Sequence, residues 1–486
     1  MYYIGIDLGT SSVKVLLTDE MGFIHKTASR EYPLFFPFDG WSEQNPQDWW
    51  TNTLSALDEI CEGIDTTLVK GIGVAGQMHG LVILDENDNV IRPAILWNDG
   101  RTEAQVDYLN NVIGKSTLSE YTANIAFAGF TAPKILWIKE NEPENFNKIR
   151  KIMLPKDYIN YMLTGVHATD FSDASGMLLL DVKNRRWSEE MLGICGISKQ
   201  MMPLLFESSE VIGSVKEGFS LSGVKVVAGA GDNAAAAVGT ATVGNGKCNI
   251  SLGTSGTIFI SSDCFGVDEN NALHSFCHSD GKYHLMGCML SAASCNKWFS
   301  EEILKEKDFS LLQKDITEDM LGNNNIYFLP YLMGERSPIN DTDARGAFIG
   351  MSLDTKREDM LLAVLEGVAF AIRDSFEVAK NLGIEITESG ICGGGAKSPL
   401  WRKILANVLG IKLNVLKTEQ GPGFGGAILA MTGTGAYNNV NEASKALTEI
   451  SFTEVPDKKL TALYNEKYEK YKTIYPALKS VFSNMR

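Results

Sequence analysis

At 486 residues, 44% hydrophobic and 21% charged, the chain is too long for one ordinary core and has the composition of a soluble globular protein of two or three domains. Lys and Arg number 44 against 60 Asp and Glu. The net charge of −16 disfavours nonspecific nucleic-acid binding and anionic membranes, and leaves any anionic ligand to be held by local groups.

No apolar run reaches the roughly 20 residues of a membrane span. The N-terminal Met-Tyr-Tyr-Ile-Gly-Ile enters a strand directly, without the basic stretch and cleavage site of a signal peptide. The 8 cysteines are scattered and form no C-x-x-C pair, so reduced thiols in a cytoplasmic compartment are expected.

Residues 2–7 read as a short apolar strand ending in Asp7, and 13–17 as a second strand, with Leu8-Gly9-Thr10-Ser11-Ser12 as the turn between them. Successive N–H groups and the hydroxyls of Thr10, Ser11 and Ser12 suit phosphate oxygens. Asp7 beside such a cradle would repel a phosphate unless Mg²⁺ intervenes, held directly or through its waters. Next, residues 70–76 form a strand running into Gln77-Met78-His79-Gly80, and 90–96 lead to Trp97-Asn-Asp99-Gly-Arg101. Gln77, His79, Asp99 and Arg101 offer donors and acceptors, while Met78 and Trp97 offer apolar faces, the mixture a small polyol needs.

Residues 224–239, V-K-V-V-A-G-A-G-D-N-A-A-A-A-V-G, predict a buried strand, a glycine turn and a helix carrying Asp232 in its first turn. The alanines allow close packing. The helix N-terminus is expected to keep Asp232 ionised, either as a cap or as a base for a substrate hydroxyl. A second strand–turn–strand follows at 249–260, with Gly253, Thr254 and Ser255 in its turn. L-G-T-S thus recurs about half a chain after the first, predicting two domains of one type, 1–243 and 244–486, that grip a nucleotide from opposite sides of a cleft. His274-Ser-Phe-Cys277-His278 has two metal-ligating residue types but no second cluster to complete a zinc site. Gly393-Gly394-Gly395 follows another strand and opens a helix, and 461–482 predict an amphipathic docking helix interrupted at Pro476.

The paired hairpins resemble those of the sugar-kinase, heat-shock-chaperone and actin superfamily. Within it the chain is similar to the FGGY carbohydrate kinases, through Gly129-Phe-Thr131-Ala-Pro-Lys134-Ile-Leu-Trp137, through 327–350 with Gly334-Glu-Arg-Ser-Pro, and through Gly421-Pro-Gly-Phe-Gly-Gly-Ala427. That last segment has Ala where the naming motif has Tyr, and its glycines read as a turn. Gln77-Met78-His79-Gly80 is similar to the sugar-contacting segment of the family's xylulose-kinase branch, and 41–46 and 154–158 also look like segments of that branch, as scaffold.

The resemblance implies an α/β fold of two ribonuclease-H-like domains around a deep cleft, the first on the sugar and phosphate side and the second on the nucleotide side. It implies ATP, with adenosine near Gly394 and Gly395, Mg²⁺ associated with Asp7, and a ketopentose as partner; a homodimer is one allowed assembly. Asp232 then accepts the proton of the attacking primary hydroxyl and Asn233 orients the sugar. Three rival readings compete with this one. An NAD dehydrogenase would need an acid about 20 residues beyond the glycine turn, and 233–262 contain no Asp or Glu. An assembly ATPase has no use for the Met78-His79 turn. A kinase of ribulose, fuculose or gluconate keeps the mechanism and changes the pocket.

Overall fold

Strict burial builds the first sheet. Ile4, Ile6 and Leu8 of the strand Tyr2–Leu8 and Val13, Val15 and Leu17 of Ser12–Asp19 have no exposed surface. These strands pair antiparallel, from Tyr2 opposite Asp19 to Leu8 opposite Val13. Ile24–Glu31 continues the sheet antiparallel, and on the other side of Tyr2–Leu8 lie Val69–Gly76 and then Lys225–Val227, both parallel. The computed structural model describes residues 1–417 and 421–485.

The second sheet repeats this plan. Cys248–Leu252 and Gly256–Ser262 form its hairpin, Tyr283–Met289 adds antiparallel, and Glu388–Cys392 and Lys412–Leu416 add parallel on the far side. In both sheets the third, second, first, fourth and fifth strands of the set lie side by side in that order. Each set ends in an antiparallel edge strand, Val211–Ser214 or Ile450–Glu454. What recurs is therefore a whole sheet, which meets the α/β expectation of two related halves.

Two helices that follow the fifth strands join the halves. Asp232–Gly239 crosses Gly421–Gly433 so closely that a Cβ on Gly425 would collide with the Ala235 carbonyl. Gly421–Gly433 also lies on the first sheet, where Gly5 meets the Gly423 carbonyl and Gly73 meets that of Gly426. The segment 421–427, expected as a turn, is thus the start of a helix. Its glycines let helix and strand backbones touch. Ala427 has no exposed surface and sits against Gly5, which leaves no room for the aromatic of the related motif.

A second seam runs along His274–Cys277. Asn124 exchanges hydrogen bonds with Ser275 (2.9 and 3.2 Å), and the Cys277 N–H donates to Ser175 Oγ at 3.0 Å. His274 stacks on Phe276, so this segment is a packed strand between the halves. Near the C-terminus, Lys458–Tyr471 ends before Pro476, Ile474–Ser483 follows, and Tyr464, Tyr468 and Tyr471 pack on Phe370. Among the described residues no helix is long and apolar enough to cross a membrane.

Gly73→Val places a branched side chain where the Gly426 carbonyl stands. Overpacking of this kind should lower stability by about 1–3 kcal/mol or more, read as a lower urea midpoint. An unchanged midpoint would show that the helix does not need this contact.

Candidate active site

Asp232 is delivered by a turn held from below. Gly229, at φ +75°, passes close to the Val74 carbonyl, and Ala230 and Gly231 pair with Ala75 and Gly76. Asn160 Nδ2 (2.8 Å) and Lys156 Nζ (3.1 Å) both donate to the Ala228 carbonyl, and Gly231 N–H donates to Ser172 Oγ at 3.3 Å. Lys156 is fully buried among Asp157 (2.8 Å) and Asp170 (3.2 Å), a charged cage beneath the turn. Gly231 takes the N-cap position without a side-chain cap, so Asp232 is free of capping. Its Oδ1 instead accepts from Asn233 N–H (2.7 Å) and Nδ2 (3.0 Å).

The Asp232 carboxyl is pushed up to about 7, by burial first and by the negative charge of Asp7 second. The expectation that the helix terminus keeps it ionised is corrected here. Loss of water and a like charge outweigh a terminus whose effect fades within one turn. Asp7 itself is raised to about 6 by burial, opposed by Lys14, at the N-terminal end of Gly421–Gly433.

The first hairpin turn sits above these acids. Thr10 Oγ1 accepts from Trp97 Nε1 at 3.0 Å, Ser11 is exposed and Ser12 half-buried. Gln77 lies behind the turn, its Nε2 donating to Gln44 Oε1 (3.1 Å) and its Oε1 accepting from Thr10 (3.4 Å). Asp99 is likewise spent, accepting from Ser42 N–H (2.6 Å) and from Arg101 Nε (2.9 Å) and Nη2 (2.7 Å). Arg101 also reaches Glu43 at 2.7 Å and stacks 3.7 Å from the Trp41 ring. Gln77 and Asp99, expected as sugar ligands, are therefore corrected to wall residues: both are buried and their polar atoms are already bonded.

Met78 lies against the Asp232 turn and carries His79 beside it. Met78 packs against Gly231, and its sulfur lies 3.8 Å from Asn233 Nδ2. His79 takes a left-handed backbone, φ +68°, and its carbonyl accepts from Thr131 Oγ1 (3.1 Å) and the buried Lys134 Nζ (2.8 Å). Its Nδ1–H donates to the Gly176 carbonyl at 2.8 Å, which leaves Nε2 as an acceptor. Burial, with the Lys134 charge second, lowers His79 to about 3, so the ring is neutral at physiological pH.

On the nucleotide side, Gly253, Thr254, Gly394 and Gly395 line one cavity of about 780 Å³ with Phe309 and Trp401, and Ser255 stands exposed at the turn. Gly393, at φ +89°, packs against Leu252 and holds the two glycine loops together. A groove of about 790 Å³ around Lys70 and Tyr437 lies at the opposite end of the first sheet, where its strands begin.

Residues 2–239 match the FGGY family of carbohydrate kinases, N-terminal domain, and residues 248–434 match its C-terminal domain. The chain belongs to the FGGY family of carbohydrate kinases. It is 39% identical to the xylulose kinase of Escherichia coli strain K12 over 482 residues, covering 98% of this chain and 99% of that one. A solved xyloylose kinase from Brucella ovis is similar at 38% identity and a TM-score of 0.92, over 99% of this chain and 100% of the other. A gluconate kinase from Lactobacillus acidophilus is 26% identical with a TM-score of 0.93, over 100% of this chain and 99% of that chain.

In this carbohydrate kinase the chain thus gathers Asp7, Asp232, Asn233, Met78 and His79 around one floor, with Thr10 and Trp97 at the rim. Sequence reasoning missed two contributors. Lys134, noted only as part of a similar segment, fixes the backbone of His79. Arg336, noted only within Gly334-Glu-Arg-Ser-Pro, reaches the same wall from the second half, where its charge acts on His79 and His274. An arginine between a glycine and a proline in an acidic chain was the available signal.

The raised Asp232 carboxyl makes a testable stability statement. The folded kinase holds this proton up to about pH 7, whereas the unfolded chain releases it near pH 4. Stability therefore falls as pH rises through that window. Asp232→Asn should be more stable than the wild type at pH 8, by on the order of 1–2 kcal/mol, with the gap closing towards pH 4. Equal urea midpoints at pH 8 would contradict the burial assigned to this carboxyl.

Proposed function

We propose that the chain transfers the γ-phosphoryl group of ATP to the primary hydroxyl of D-xylulose, giving ADP and D-xylulose 5-phosphate. What supports this reading is a carboxyl raised to about 7 by burial and by Asp7, in a site that also holds a neutral acceptor imidazole and a hydroxyl-rich hairpin turn. The sugar is taken from the relatives, whose names specify xylulose. The lobes divide at 243/244, and free cysteines suit a cytoplasmic enzyme.

The hydroxyl oxygen forms a bond to the γ-phosphorus as the bond to the β-bridging oxygen of ADP breaks, and the hydroxyl proton passes to Asp232. A free alcohol is far less acidic than a carboxylic acid, so the proton moves late. Asn233 fixes Asp232 by two hydrogen bonds, which aims the free Oδ2. Met78 offers an apolar face, and His79 Nε2 accepts from a second hydroxyl. The turns at Thr10–Ser12 and Gly253–Ser255 supply neutral donors to the phosphates, and Gly394 and Gly395 border the adenosine.

Asp7 and Asp232 suit a divalent cation. Both carboxyls are raised, and the charge of Asp7 adds to the shift at Asp232, a strain that a cation relieves. Mg²⁺ takes one or two carboxylates with waters and substrate phosphate oxygens, so Asp7 is its holder. When bound, it neutralises charge on the phosphate oxygens.

A second reading, phosphorylation of gluconate, is favoured by the likeness to a gluconate kinase. ADP release measured across xylulose, ribulose, fuculose, glycerol and gluconate decides between them, with the highest kcat/KM expected for D-xylulose. A preference for gluconate would overturn the choice of sugar. Asp232→Asn should lose roughly 10²–10⁴-fold in turnover while keeping ATP binding. His79→Ala should raise the sugar KM by about 10- to 100-fold, the loss of one buried hydrogen bond; an unchanged sugar KM would remove His79 from the pocket.

A further inference from the structure

We propose that Arg336 is a specificity residue of the sugar site, whose guanidinium donates to an oxygen that only accepts hydrogen bonds: the carbonyl of an open-chain ketose. The inference rests on the sugar-kinase reading above and adds the feature of the sugar that is recognised.

Arg336 is placed firmly. Ser337 N–H donates to the Cys288 carbonyl at 3.0 Å, and Asn340 Nδ2 donates to the Asn271 carbonyl at 3.1 Å, so its loop is tied to the second half on both sides. The guanidinium lies beside the Cys288 side chain and 5.1 Å from the centre of the Phe127 ring, which belongs to the first half. Phe127 meets Phe130 at 5.6 Å, and Phe130 meets the His79 ring at 4.8 Å. Cys288 in turn lies within the field of Asp232. Arg336 therefore stands on the His79 side of the site, with Cys288 between it and Asp232.

Among the described residues no carboxylate forms an ion pair with Arg336, although its charge is felt by Glu335. Burial keeps the Cys288 thiol protonated, and Phe127 is neutral. The adjacent Glu335 turns to the backbone instead, its Oε1 accepting from the N–H groups of Leu290 and Arg336, both at 2.8 Å, while Oε2 has no partner. A guanidinium carries five donors and no acceptor. Asp232 Oδ2, once ionised, and His79 Nε2 offer acceptors only. The ligand that satisfies all three donates a proton at two points and accepts at the third. A hydroxyl facing Arg336 must still place its own proton, whereas a carbonyl oxygen has none to place. The wall thus favours a ketose over the matching alditol.

The test is the steady-state kinetics of the wild type, Arg336→Met and Arg336→Lys with D-xylulose and with xylitol, at varied ATP. Arg336→Met should raise the D-xylulose KM about 10- to 100-fold, as expected for a lost charged hydrogen bond. The ketose-to-alditol ratio of kcat/KM should fall by a similar factor, while the KM for ATP stays constant. Arg336→Lys, which keeps a cation but loses the fork, should lie between, and circular dichroism melts identify any variant that fails to fold. Wild-type sugar KM and ketose preference in both folded variants would overturn the proposal. A wild type that phosphorylates no ketopentose would overturn the reading beneath it as well.

Discussion

Asp7 and Asp232 share one half-buried floor because a helix from the second half rests its backbone on strands of the first. Gly5, Gly73, Gly423, Gly425 and Gly426 make that contact, and any side chain at these points would hold the surfaces apart. The approach removes water from two like-charged groups, and desolvation is the leading cause of the shift at both. Chemistry follows from packing here: a carboxyl that would be a weaker base at its ordinary pKa of about 4 is poised near neutrality. The price is stability, since two carboxyls partly stripped of water strain the fold until a cation and substrate answer them.

Much of the polar surface around the site is spent on the protein itself. Gln77, Asp99 and Arg101 use their hydrogen bonds on the hairpin turn and its neighbours, and Lys134 holds the unusual backbone of His79. The unspent groups that the described residues turn to the sugar side include Asp232 Oδ2, His79 Nε2 and the Arg336 fork. Such a set can recognise a polyol in a chain whose overall charge does nothing to attract phosphate.

Local pattern made part of this legible. Strand–glycine–strand spacing disclosed both hairpins, their separation disclosed the repeat, and the glycine turn disclosed Asp232. Residues whose roles depend on distant partners were misread. Nothing near Gln77 in sequence announces Gln44, and Asp99 offers no hint that Ser42 approaches it. The glycines at 421–426 look like a turn until the strands they touch are known. The ionisation of Asp232 was misjudged for the same reason, because a helix end is local while burial and the charge of Asp7 come from elsewhere in the chain. Arg336 lies some 100 residues beyond Asp232, and only folding sets it beside His79.

The central claim is that Asp232 is the base and that burial with Asp7 sets its ionisation. It is tested most directly by the pH dependence of kcat/KM with both substrates far below saturation, so that groups of the free enzyme are read. Activity should fall on the acid side with an apparent pKa near 7, since the base must be unprotonated, and the limb should move to lower pH in Asp7→Asn. An acid limb near pH 4, or one that Asp7→Asn leaves in place, would contradict the account.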